Sequence, residues 1–94
     1  MKVKVVYSVG EGGENNSRDV KIIQELLNQF LSKEFPKFPL LEVNGQVSFN
    51  LIKSIKMFQS FRMSVMTGCL QADSVDLADL QFLYQTNHHT EMKD

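Results

Sequence analysis

The chain has 94 residues with 43% hydrophobic content, enough for one small domain with a modest core and no second domain. Ten basic residues stand against eleven acidic ones, so the composition lacks the basic excess that binding a nucleic-acid backbone requires. A single cysteine, Cys69, excludes an intrachain disulfide.

From Met1 to Val9 the sequence alternates. Val3, Val5, Tyr7 and Val9 fall on one side, and Lys2, Lys4 and Ser8 on the other, which is the period of a half-buried strand. The lysines interrupt any apolar run, so this is not a secretory signal. No segment approaches the ~20 apolar residues of a membrane span. The expectation is a protein synthesised in the cytoplasm without a signal peptide, which another system must deliver if it acts at the periplasm or cell wall.

Gly10 to Asn16 is a loop of Gly and Asn, residues that tolerate positive φ. A helix follows, capped by Asn16 or Ser17, with Asp19 in its first turn where the helix dipole favours a carboxylate. Val20, Ile23, Leu27, Phe30 and Leu31, flanked by Ile22 and Leu26, form its buried stripe, which fades near Lys33. Pro36 forbids continuation and pushes Phe35 toward an extended conformation. After Leu40, Leu41 and Val43 comes Asn44-Gly45, a tight-turn dipeptide.

Ser48 can cap a second helix running from about Phe49 to about Met63. Its buried face is Leu51 or Ile52, Ile55, Phe58 and either Phe61 or the stem of Arg62, with Lys53, Lys56 and Ser60 outside. A connection containing Gly68 leads to a third helix, capped by Asp73 or Ser74. Its apolar face would come from Leu77, Leu80, Leu83 and Tyr84, with Val75 and Ala78. One domain, 1–85, is followed by a polar tail, 86–94.

The chemistry-bearing residues are few. Cys69, beside Gly68 and Leu70, is most simply a small buried apolar residue. Lys2, Lys4, Lys53, Lys56 and Arg62 read as a solvated face. His88-His89 with Glu91 nearby does not amount to the four fixed ligands of a structural zinc site, and no catalytic constellation emerges. No enzyme activity, cofactor or metal is expected. Phe35, Phe38 and Phe49 lie at loop positions, where an exposed ring can stack on a sugar or anchor a partner.

The two longer helices share a pattern: Val20…Ile23-Gln24…Leu26-Leu27 in one, Ile55…Phe58-Gln59 in the other. Each Gln follows a buried apolar residue, and the plainest role for each amide is to satisfy backbone groups of a neighbouring loop. With the turns Asn44-Gly45 and Thr67-Gly68, this arrangement resembles the internal pseudo-repeat of peptidoglycan-binding-like domains over roughly Val9 to Leu83. Val9, Gly10, Gly12, Gly13, Asn15, Asp19, Val20, Gln24, Leu26, Leu27 and Asn28 match one branch of that family, whose members accompany bacterial or phage cell-wall hydrolases and effectors of contractile secretion systems. Leu41, Val43, Gly45, Val47, Ile55, Phe58 and Gln59 keep its scaffold. Its polar positions drift: Asn44 stands for the usual Asp, Ser48 for Gly, Leu51 for Thr, Ser54 for Ala and Thr67 for Asp.

The resemblance implies a mainly α fold: a compact three-helix bundle with a short N-terminal strand or extended arm. It also implies non-catalytic recognition of peptidoglycan glycan and stem peptide, targeting or accompanying a lytic partner, with Asn44, Gly45, Phe49 and Gln59 as the ligand-binding candidates. The alternative is a protein–protein interaction module of a phage-like or contractile assembly that has lost wall binding; Lys2 to Val9 could then pair with a partner's sheet edge. An exposed apolar patch around Phe35, Phe38 and Phe49 would favour the second; a polar groove between the two turns would favour the first.

Overall fold

A computed structural model describes residues 4–84. Lys2, Val3, the 86–94 tail and the His88-His89 pair therefore lie outside the described residues. The elements run β1 (Val9–Gly10), α1 (Ser17–Glu34), α2 (Phe49–Phe61), β2 (Cys69–Leu70) and α3 (Val75–Leu83). The protein is mainly helical, three helices around one core with a minimal two-stranded ribbon. In the ribbon, Val9 pairs with Leu70 and Gly10 with Cys69, antiparallel.

Each helix starts where a side chain can accept an otherwise orphaned N–H. Asn16 accepts from Arg18, Ser48 from Leu51 and Ser74 from Leu77. α1 ends against Phe35, which leaves helical geometry ahead of Pro36. α1 buries Val20, Ile23, Leu27, Phe30 and Leu31 against Leu51, Ile55 and Phe58 of α2 and Leu77 and Leu80 of α3, in one cluster. Phe30 is its hub. Its ring meets Phe35, Phe58, Phe61 and Tyr84 edge-on, with centroids 5.2 to 6.0 Å apart.

Four details depart from the sequence expectations. The N-terminal arm is not a strand before Val9: Val5 and Val9 are buried, but Tyr7 is exposed together with Val6. The reason is Asp19. Its carboxylate accepts the N–H groups of Val6 (3.1 Å) and Tyr7 (2.9 Å), which removes these donors from any ladder. On α2, Leu51 takes the buried place that the sequence left open between it and Ile52, but neither Phe61 nor Arg62 is buried. The helix also ends at Phe61 rather than Met63, because Met63 turns to φ 61°. On α3, Val75, Ala78 and Leu83 are exposed; a nine-residue helix with one side on α1 buries only Leu77 and Leu80, and Tyr84 just beyond it. Among the described residues no helix is long and apolar enough to cross a membrane.

Candidate functional site

The two glutamines sit in equivalent surroundings. In the first half, Gln24 Oε1 accepts the N–H of Gly45 (2.9 Å). Its Nε2 donates to the Gln46 carbonyl and to Asn44 Oδ1 (both 3.1 Å). Asn44 Oδ1 also accepts the N–H of Gln46 (2.9 Å), closing an Asx turn. In the second half, Gln59 Oε1 accepts the N–H of Gly68 (3.0 Å). Its Nε2 donates to the Cys69 carbonyl and to Thr67 Oγ1 (both 3.1 Å). Thr67 Oγ1 accepts the N–H of Cys69 (3.2 Å). Thr67 Oγ1 accepts the same two bonds as Asn44 Oδ1, and as a hydroxyl it also donates to the Cys69 carbonyl (3.0 Å).

Each turn also rests on matching positions of its helix. Gly45 lies against Ser17 and Lys21 of α1, and Gly68 against Ile52 and Lys56 of α2. Both glycines hold left-handed geometry, φ 78° and 79°, and a Cβ on either would come within 3.0 Å of its neighbours. The pseudo-repeat seen in the sequence is thus a repeat of a complete hydrogen-bonded device.

Gln59 is 2% exposed and its amide is consumed by the second turn. Gly45 is buried with its N–H held by Gln24. Asn44 is exposed, with its Oδ1 occupied by Gln24 and Gln46. Phe49, in contrast, is 77% exposed at the start of α2. The four candidates therefore do not converge on one groove: Gln59 faces the core side of α2, and Phe49 faces solvent.

What does converge is apolar. The loop after α1 folds Phe35, Pro36, Phe38 and Pro39 toward Met57 of α2, enclosing with Glu34 and Lys37 a depression of about 600 Å³. A second depression of about 440 Å³ continues past Phe35 and Met57 to Lys53, Lys56, Ser60, Phe61 and Met66. Because Phe35 and Met57 line both, the two form one trough along α2. Phe35 and Phe61 both rest edge-on against Phe30, so the walls of the trough are fixed by the core. Lys53 Nζ stands 5.7 Å from the centre of the Phe38 ring, a cation–π contact. Lys56 reaches Glu11 at 3.9 Å, both exposed, so screening leaves this pair weak. Phe49, Lys53, Met57 and Phe61 follow at four-residue intervals, which puts Phe49 on the same oblique row of α2.

Sequence reasoning singled out Phe35, Phe38 and Phe49 but not Met57, Phe61 or Met66 as a surface. Nothing local distinguishes a core methionine from one that floors a trough. It also missed how Asn28 clasps the Leu41 backbone in both directions (2.9 and 2.7 Å).

Cys69 is buried, and burial pushes its thiol above the ordinary value. Among the described residues no group of three His, Cys, Asp or Glu side chains could hold a metal ion. Comparison with family models, curated proteins and solved structures found no match to this chain.

Proposed function

We propose that this chain is a non-catalytic docking module that binds another protein on the α2 face, within a phage-like or contractile assembly directed at the bacterial cell wall. The observation that carries this is the trough: Phe35, Phe38, Met57, Phe61 and Met66 line it, with Phe35 and Phe61 resting on Phe30, while the Gln24 and Gln59 amides are spent on the turns. An apolar recess of this kind suits a protein side chain better than a hydroxyl-rich glycan, which needs free donors and acceptors. The cell-wall setting comes from the resemblance of the Val9 to Asn28 segment. In this reading the module reaches the envelope with its partner.

Direct recognition of peptidoglycan is the second reading. Phe49, exposed at the start of α2, favours it, since an exposed ring can stack on a sugar.

The test is affinity purification of the tagged chain from the cells that make it, beside Met57→Glu and Phe49→Ala. The docking reading expects a stoichiometric protein partner that Met57→Glu loses and Phe49→Ala retains at least in part. A partner profile unchanged by Met57→Glu would count against it.

A further inference from the structure

The trough has a direction, a length and a charge. Lys53 to Phe61 spans eight residue steps of α2, about 12 Å at the helical rise. That matches two turns of a helix laid alongside. Its far wall contains Pro36 and Pro39, which have no N–H to offer, and α2 keeps its own backbone bonds internal. Both strands are two residues long and pair with each other, and none of their residues lines the trough. An extended peptide, which binds through backbone hydrogen bonds, finds little to hold here; a helix, which binds through side chains, needs none. The rim carries Lys37, Lys53 and Lys56 against Glu34 and against Glu11, which pairs weakly with Lys56, leaving a basic excess of one charge on a chain of net charge −1.

Resting on the docking-module reading, we propose that the α2 trough takes a short amphipathic helix of a partner protein, with apolar residues at i, i+4 and i+7 and carboxylates flanking them. The apolar face enters between Phe38 and Phe61 over Met57. The carboxylates meet Lys37, Lys53 and Lys56, which selects against basic helices and sets the orientation. Lys53, already poised over Phe38, closes one end of the recess.

The test is selection of a displayed library of helical peptides on the full chain, followed by anisotropy titration of the enriched sequences. The expected winners carry the apolar i, i+4, i+7 pattern with Asp or Glu beside it. Met57→Glu should weaken them roughly tenfold or more. Lys53→Glu/Lys56→Glu should turn the preference toward basic flanks. Phe82→Glu, on the exposed side of α3, should change nothing, and circular dichroism establishes that each variant is folded. Winners that ignore Met57→Glu but are lost with Phe82→Glu overturn the trough as the site and, with it, the α2-face docking reading. Winners without acidic flanks overturn the charge assignment. No enrichment overturns the helical occupant, while the docking reading stands if the affinity-purified partner is still lost with Met57→Glu.

Discussion

Gln24 and Gln59 share three contacts in opposite halves of the molecule: each accepts from the glycine of its turn and donates to the residues on either side of it, and Gln24 also accepts the Asn44 N–H (2.9 Å). Both are 2% exposed, so a truncation leaves turn N–H and C=O groups unpartnered in a dry site. Gln24→Ala and Gln59→Ala should each cost about 2–4 kcal/mol in urea unfolding, and by similar amounts. Gln59→Glu should be no better than the alanine, because an oxygen then faces the Cys69 carbonyl. A difference of more than about 2 kcal/mol between the two alanine variants would break the equivalence of the halves.

Thr67 and Asn44 exchange roles across the repeat through one oxygen each. Thr67→Asn should therefore hold stability within about 0.5 kcal/mol, while Thr67→Val, of equal size but without the hydroxyl, should lose about 1–2 kcal/mol. Thermal unfolding of the pair decides this. Equal loss in both would mean that the threonine is chosen for its shape.

The N-terminal arm hangs on Asp19, 1% exposed, and on Arg18, which donates to the Lys4 carbonyl (3.0 Å). Asp19→Ala removes the acceptor of two backbone N–H groups and should cost about 2–3 kcal/mol. Arg18→Ala should cost only about 0–1 kcal/mol, since its guanidinium is exposed. Limited proteolysis should cut Asp19→Ala first between residues 4 and 8. Cleavage elsewhere would show that the arm is held by Val5 and Val9 alone.

Burial raises the Cys69 thiol above 9.0, and burial with the neighbouring Glu34 carboxylate raises the Tyr84 phenol above 10.0 against the opposing pull of Arg62. For an acid held neutral in the folded state, the unfolded chain loses its proton first. Stability is then fully present below the unfolded value and falls as pH rises toward the folded one. The stability these two groups contribute should therefore be constant across neutral pH and decline above pH 9.0, and Cys69→Ala should delay that decline toward pH 10.0. An unchanged alkaline profile in Cys69→Ala would assign the decline to other groups.

Much of this fold could be read from the sequence because its signals are local. Pro36, Ser48 and the Val20 to Leu31 stripe set helix limits within a residue or two. The repeated Gln, each behind a buried apolar residue, pointed to loop clasps, and the hydrogen bonds supply them. The arm was less legible, since an alternating pattern has the same appearance whether its N–H groups go to a strand or to a carboxylate twelve residues away. The exposed side of α3 was hidden too, because Val75 and Leu83 look like core until the single packing face of that helix is known. The candidate site was the least legible part. Polar residues at turns suggest binding, but Gln59 and Gly45 are spent on structure, and the surface that remains open is made of Phe and Met.

The most direct test of the central claim, that recognition lies in the α2 trough rather than at the turns, is co-sedimentation with insoluble peptidoglycan. Wild type, Met57→Glu and Asn44→Ala/Phe49→Ala would be compared side by side. The account predicts that all three stay in the supernatant while folded. Wild-type protein that sediments, and that is released by Asn44→Ala/Phe49→Ala but not by Met57→Glu, would contradict it and move recognition to the leading turn of α2.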